Sequence, residues 1–387
     1  MEINLNFTIF IPSKIMVGNN AIENIGEEAT KFGASKVLII TDVGIVKSGI
    51  MDKVRRILEN RNLKVGVFEG VEPEPHTRVV YDCIKEMEGE NYDLLVGIGG
   101  GSSIDVTKAV SVLVTNKGKL DDYYGFDKVK KPGLKKIQIP TTAGTGSEVT
   151  NVSVLIDENE EKVVIYSPYL YADLAIVDPL LTLSLPPKVT AHTGMDALCH
   201  AIESYTSVDA NLFTDILSLK AISLIGKNLR KAVFQGDKNI DSRYNMSIAS
   251  LFAGMSFSIA GCNAVHALAL ALGGKYHIPH GLSNALMLTS VIEFNLPGNY
   301  EKFKNIAKAL GEKVEGLSSI ESAHKAVKAV RIISEDIGIP QKLRDINVKK
   351  EDIEELSKIA IKNNRLLIHN PRKISLEDIM EIYQNAW

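Results

Sequence analysis

Asp196 and His200 stand four residues apart in Gly-Met-Asp-Ala-Leu-Cys-His, and His266 and His280 follow further along the chain. Residues at i and i+4 project from one helical face, so this carboxylate and imidazole can reach the same cation. His266 closes an apolar stretch in Asn-Ala-Val-His-Ala-Leu, and His280 lies in Ile-Pro-His-Gly. One carboxylate and three imidazoles make an N/O shell suited to Fe(II) or Zn(II), without the thiolates of a closed structural zinc site. Such a shell, with room for one more ligand, can hold and polarise a substrate oxygen, so the pattern points to a catalytic metal. Singly, each position has an ordinary reading as a surface pair or a hydrogen-bonded core histidine. Their weight comes from what stands upstream.

Upstream, Asn91-Tyr-Asp-Leu-Leu-Val-Gly-Ile-Gly-Gly-Gly-Ser-Ser-Ile-Asp105 reads as a short buried strand at 94–98, a glycine turn, and a helix from Ile104 onward. Gly99, Gly100, Gly101 and Ser102 would let backbone N–H groups approach an anion at a helix N-terminus, the physics of a pyrophosphate site. The pattern is neither Gly-x-Gly-x-x-Gly nor a P-loop. A second strand, Lys36-Val-Leu-Ile-Ile-Thr-Asp42, ends in a carboxylate. Placed there, Asp42 can accept hydrogen bonds from an adenosine ribose and would repel a 2′-phosphate, which favours NAD(H) over NADP. An Asx turn or helix cap is the competing use of that carboxylate. The third unit, Ile139-Pro-Thr-Thr-Ala-Gly-Thr-Gly-Ser-Glu-Val-Thr150, packs five hydroxyls and two glycines into one run, as a loop wrapped around a phosphorylated or ribosylated ligand would.

Taken in order, these runs resemble the iron-containing (group III) alcohol dehydrogenases nearly end to end. Gly-Gly-Gly-Ser-x-x-Asp stands at 99–105, Pro-Thr-Thr-Ala-Gly-Thr-Gly-Ser-Glu-Val-Thr at 140–150, and Gly-Met-Asp-Ala-Leu-x-His at 194–200. Val-His-Ala follows at 265–267, Pro-His-Gly at 279–281 and Asn-Pro-Arg at 370–372. The resemblance implies that Asp196, His200, His266 and His280 are the ligands of Fe2+, with Zn2+ as the other candidate. It also implies that Asp42, Gly100, Gly101, Thr141, Thr142 and Lys162 touch the dinucleotide, with the nicotinamide toward Thr142 and Thr145. The matching motifs place Asp105 and Ser147 on the cofactor side as well. The implied reaction is hydride transfer between NAD(H) and a small primary alcohol, diol or aldehyde.

Two departures stand out. Many relatives carry a second histidine four residues after the third ligand, and here that position is Leu270. His277, in His-Ile-Pro-His, is a candidate proton carrier, with the cofactor ribose hydroxyls as the other path and simple packing beside the ligand turn as its ordinary reading. The family's Pro-Asn-Pro-Thr is altered to Pro73-Glu-Pro-His76. Ala191, Phe257, Leu270 and Tyr276 are candidates to shape the substrate pocket. Glycerol dehydrogenases and metal-free maleylacetate reductases share the fold type, but His280 as a fourth ligand argues against both. A sugar-phosphate cyclase similar to dehydroquinate synthase would need a basic phosphate pocket, which 190–206 does not offer.

These residues need two kinds of scaffold. Before Pro186-Pro187, strand-like segments at 37–41, 64–68, 94–98, 137–139 and 174–177 alternate with helical patterns at 50–59 and 79–88. Such alternation implies a Rossmann-like α/β dinucleotide-binding domain with a largely parallel sheet, over 1–185. Phe7–Ile11 is expected as an extra edge strand or an intersubunit pairing. After Pro187 the apolar spacing turns helical, at 189–205, 214–233, 244–260, 300–310, 320–337, 350–361 and 376–385. An all-α metal-binding and substrate domain is therefore expected over 186–387, in a dehydroquinate synthase-like, iron-alcohol-dehydrogenase fold. With cofactor motifs in one domain and ligands in the other, the reaction is expected in a cleft between them.

The remaining bounds fit an ordinary enzyme of small molecules. Net charge is −3 over 387 residues with 24% charged, so no basic field calls for nucleic acid. No apolar run reaches membrane-spanning length, and the N-terminus lacks a basic segment before an apolar core. Three cysteines, Cys83, Cys199 and Cys262, suit reduced thiols in a cytoplasm. Cys199 adjoins His200 and Cys262 precedes His266 by four residues; an influence on the metal is one reading, and buried packing is the ordinary expectation. From the family, a homodimer or higher homo-oligomer is expected.

Overall fold

Apolar and β-branched runs of the first half become strands in the computed structural model, which describes residues 6–387. The strands are β1 (Ile15–Val17), β2 (Lys36–Ile40), β3 (Lys64–Phe68), β4 (Leu94–Gly99), β5 (Gly125–Phe126), β6 (Lys135–Pro140), β7 (Val152–Ile156), β8 (Lys162–Tyr166) and β9 (Leu174–Val177). Helices α1 (Ile25–Lys31), α2 (Val43–Lys47), α3 (Ile50–Glu59), α4 (Thr77–Glu86) and α5 (Gly101–Leu113) lie among them. Six strands form one sheet in the order β1-β9-β6-β4-β2-β3, and every pairing in it is parallel. Alternate residues face opposite helical layers, Leu38, Ile40 and Leu95 into one core and Val37, Ile39, Leu94 and Val96 into the other. Burial on both faces is why these strands read as unbroken apolar runs.

Strand order positions the loops. From β2 the chain goes outward to β3, then returns to place β4 on the other side of β2. Open parallel sheets bind ligands beyond the carboxyl ends of the strands at such a reversal. Asp42 follows β2, and the glycine run ends β4, so both stand at that point. The helix after the glycines starts at Gly101 rather than at Ile104. The third glycine is therefore already a helical residue, and the N–H groups of its first turn face the loop.

Two further differences from the sequence expectation concern β-structure. Within the chain Phe7–Ile11 forms no strand; Pro12 interrupts the run, and Ile15–Val17 takes the sheet edge by pairing with 175–177 of β9. A second sheet, β5-β8-β7, also exists, built on the antiparallel β7–β8 pair that brings Lys162 opposite Ile156.

Under the cofactor-type loops lies a buried polar network. Lys108 is wholly buried and donates to Ser147 Oγ (2.9 Å), Thr150 Oγ1 (3.0 Å) and the Val152 carbonyl (2.7 Å). Ser147 donates to Asp105 Oδ1 at 2.5 Å, and Asp105 Oδ2 accepts from Val154 N at 3.0 Å. Burial lowers the Lys108 ammonium to about 8 and raises the neighbouring Glu148 carboxyl to about 7. The cluster ties α5, the threonine-rich loop and β7 into one piece.

This unit, Phe10–Ser184, is one of two compact units; the second comprises Leu185–Trp387 and takes in residues 6–9. The second unit is helical: α6 (Pro187–Thr206), α7 (Leu212–Gln235), α8 (Ile240–Ala260), α9 (Ala264–Tyr276), α10 (His280–Asn295) and further helices, among them Tyr300–Ala309, Ser319–Asp336 and Leu376–Ala386. The expected segments 189–205, 214–233 and 244–260 fall inside α6, α7 and α8. Helices α9 and α10 were not among those expected: α9 is apolar almost all round and offers no stripe to read, and α10 buries polar Ser283 and Asn284 beside its apolar residues, which blurs its pattern. No single helix among the described residues is long and apolar enough to cross a membrane; α8 and α9 together are, but they bend by 102°.

Replacing Lys108 by Ala should strand the buried Asp105 and Glu148 carboxyls. The expected loss is about 3–5 kcal/mol of stability, read by urea unfolding; a loss below about 1 kcal/mol would show that the network holds nothing together.

Candidate metal centre and cofactor loops

Three helices of the second unit deliver the four candidate ligands. Asp196 and His200 sit one turn apart in the middle of α6, His266 in the first turn of α9, and His280 opens α10. His266 Nε2 lies 3.1 Å from His200 Nε2 and 4.0 Å from Asp196 Oδ1, and His280 Nε2 lies 3.8 Å from the same oxygen. Ligands about 2.0–2.2 Å from one ion stand about 3.0–3.6 Å apart, so small shifts close the set around a cation. The donor set thus fits a divalent metal. Side-chain exposure is 3% at Asp196 and 8% at His266 but 33% at His280, so the set opens on the His280 side.

Asp196 is buried, which alone would raise its carboxyl, yet the three facing imidazoles and Asn284 hold it below the ordinary range. A carboxylate ready to bind without losing a proton suits a ligand. The His200 ring stacks on Phe257 of α8 at 4.2 Å between centroids, and on the other side against His266 at 4.7 Å. Phe257 is thus an apolar wall of the centre. Tyr276 instead hydrogen-bonds Asp352, and accepts from Lys349 N at 2.9 Å.

Two functional residues escaped the sequence reading. Glu203, a turn beyond His200 on α6, is buried and hydrogen-bonds His266 Nδ1. Its other oxygen accepts from Val265 N (2.6 Å) and His266 N (3.3 Å), capping α9. It therefore fixes the ring so that Nε2 faces the other candidate ligands. Burial depresses the imidazole, but Cys262 first and Glu203 next outweigh it and hold His266 well above its ordinary pKa. Its signal was present: Asp196, His200 and Glu203 fall at i, i+4 and i+7 on one face. The second is Asn284, fully buried on α10, whose amide donates to Asp196 Oδ1 at 2.7 Å. The same nitrogen lies 3.1 Å from His266 Nε2 and 3.2 Å from His280 Nε2, while Oδ1 is buried without a hydrogen bond. A buried amide left partly unsatisfied among ligand atoms is a further sign of a centre built for an ion.

His277 is exposed at the C-cap of α9 with a left-handed φ of 52°. The turn it makes leads into Pro279, the N-cap of α10, and so sets where His280 begins.

In the first unit the cofactor-type loops meet. Thr141 N donates to the Gly99 carbonyl at 2.9 Å, joining the ends of β6 and β4. Gly99 has a φ of 151°, and a Cβ there would stand 2.4 Å from Ser103 Oγ. A Cβ on Gly101 would stand 2.9 Å from Thr145 Cγ2, so that approach also needs glycine. Thr142 lies beside Gly100, and Ser102 is in the first turn of α5. Asp42 both caps α2, through Gly44 N at 2.8 Å and Ile45 N at 3.1 Å, and turns its second oxygen toward Ser103 Oγ at 3.5 Å. The cap and the place at the loop are compatible. Asp105 and Ser147 bond each other within the buried network. Lys162 pairs with Glu74 at 3.3 Å, and Glu74 takes the left-handed φ of 50° in the altered Pro-Glu-Pro-His run.

Comparison with known proteins agrees with this architecture. The profile described as iron-containing alcohol dehydrogenase matches residues 12–179, and that of the Fe-containing alcohol dehydrogenase family, C-terminal, matches 190–387. The 1,3-propanediol dehydrogenase of Klebsiella pneumoniae is 41% identical, over 98% of this chain and 99% of its own. The lactaldehyde reductase of Escherichia coli (strain K12) is 38% identical, over 96% and 97%. The crystal structure of a 1,3-propanediol oxidoreductase superposes with a TM-score of 0.96 at 41% identity, covering 99% of this chain and 100% of that one. The chain belongs to the iron-containing alcohol dehydrogenase family. It is an oxidoreductase acting between alcohol and carbonyl levels with a metal and NAD(H), and the sugar-phosphate cyclase alternative finds no support.

Glu203→Gln should weaken metal binding about 10–100-fold, the usual effect of losing a carboxylate behind a liganding histidine. Competition with a chelator measures it, with circular dichroism to confirm the fold. Unchanged affinity would remove Glu203 from the centre.

Proposed function

We propose that the chain reduces short aldehydes with NADH and oxidises the matching primary alcohols or diols, at a metal held by Asp196, His200, His266 and His280. The observation that carries this reading is the convergence of those four side chains, three buried and one open to solvent. Fe2+ is the assigned ion, since an N/O set does not demand zinc and the family is described as iron-containing. A divalent cation held by these four residues would supply Lewis-acid polarisation of a substrate oxygen, and a bound nicotinamide would supply the hydride chemistry.

The chain's own groups do the rest. Gly99–Ser102 and the N-terminus of α5 receive the pyrophosphate, and Thr141, Thr142 and Thr145 line the adjoining loop. Asp42 receives the adenosine ribose hydroxyls and excludes a 2′-phosphate, giving NAD(H) over NADP(H). Lys162 reaches the cofactor from the β7–β8 pair, with Glu74 as its partner. Phe257 keeps water from one side of His200. His277, exposed three residues before His280, exchanges the proton with solvent. A three-carbon substrate bearing a second oxygen is the class favoured, because the named relatives act on 1,3-propanediol and lactaldehyde. Three free buried thiols suit a cytoplasmic enzyme, and a homo-oligomer is the proposed assembly.

A panel of short aldehydes should oxidise NADH fastest with three-carbon hydroxyaldehydes. Asp42→Ala should narrow the NADH-over-NADPH preference in kcat/KM by about tenfold, about 1.4 kcal/mol. No turnover on any aldehyde would overturn the activity, and an unchanged preference would overturn the role of Asp42.

A further inference from the structure

Cys262 lies in the three-residue break between α8 and α9, where the chain bends by 102°. Its sulfur and one ring nitrogen each of His200 and His266 all lie within 4.8 Å of one another, and all three residues are buried. Asp196, His266 and His280 form a second such group, so the two groups share His266. His266 is held by Glu203 at Nδ1, and its Nε2 lies 3.1 Å from His200 Nε2.

We propose that Cys262, His200 and His266 form an alternative N/S metal site that takes thiophilic divalent cations, zinc foremost, in competition with the N/O set. This rests on the reading of His200 and His266 as ligands. A four-coordinate ion has its sulfur ligand at about 2.3 Å and its nitrogens at about 2.0–2.1 Å, which puts ligand atoms about 3.5 Å apart. The observed group closes around such an ion with shifts on the order of 1 Å. Because the sets share imidazoles, one ion excludes the other. Ligand softness then sorts them: a thiolate selects zinc, cadmium or cobalt, and the carboxylate set suits iron. Binding converts Cys–SH and M2+ to a Cys–S–M bond and releases one proton to water, with no change of oxidation state. An ion seated toward Cys262 is drawn away from His280, the exposed side of the centre, and a thiolate weakens its pull on a substrate oxygen. Zinc in this site therefore inhibits.

The test is cobalt(II) titration of the full-length, metal-depleted protein, read by sulfur-to-cobalt charge-transfer absorption in the near ultraviolet. Wild type should show the band, and Cys199→Ser should keep it. Cys262→Ser should lose it while still binding cobalt, and should release one proton fewer per ion. His280→Ala, which weakens only the N/O set, should strengthen the band. Cobalt bound without a sulfur band in wild type overturns the N/S site and leaves the four-ligand reading standing. No cobalt bound at all overturns both.

Discussion

One buried carboxylate organises the centre. Glu203 accepts from two backbone N–H groups at the start of α9 and from the His266 ring. An acid buried at 1% exposure is costly unless it is fully hydrogen-bonded, and the uncapped start of α9 would be costly too. Each need answers the other. The result locks α9 onto α6 at the level where Asp196 and His200 project, so the third candidate ligand, His266, is positioned by the same contact that stabilises two helices. Without it, His266 would lose the partner that fixes its Nδ1, leaving only the His200 and Asn284 contacts to orient the ring.

The α/β unit follows a comparable economy. Because all six strands of the main sheet run parallel, every loop at their carboxyl ends emerges on the same edge. The reversal between β2 and β4 then sets Asp42 beside the glycine run, while the pairing of β4 with β6 sets the threonine-rich loop beside it on the other side. Lys108, Asp105 and Ser147 fasten that arrangement through hydrogen bonds between α5 and the threonine-rich loop.

Much of this was legible in the sequence, and the reasons for the rest are physical. Asp196 and His200 declare themselves by helical spacing, and the parallel strands by short β-branched runs between helices. Helix α9 was hidden because Ala-Val-His-Ala-Leu-Ala-Leu-Ala-Leu has no polar face, so burial erased the periodicity that would mark it. Glu203 was on the visible face of α6, but its function depends on a helix start 61 residues later in sequence, at Ala264. Asn284 gave no signal, since a buried amide is recognisable only by its neighbours. The β7–β8 pair was available as two five-residue apolar runs around an acidic turn, yet Lys162 entered the reading only through family resemblance. Asp42 shows two uses of one side chain coexisting: it caps α2 and still faces the glycine loop.

The central claim is that four side chains of α6, α9 and α10 hold a catalytic metal. Metal content by mass spectrometry on anaerobically purified protein, paired with NADH oxidation before and after chelation, tests it most directly. The account predicts about one ion per chain, with turnover lost as the ion is removed and regained on adding Fe2+. Undiminished turnover in protein without stoichiometric metal would contradict it, and the four residues would then need another explanation.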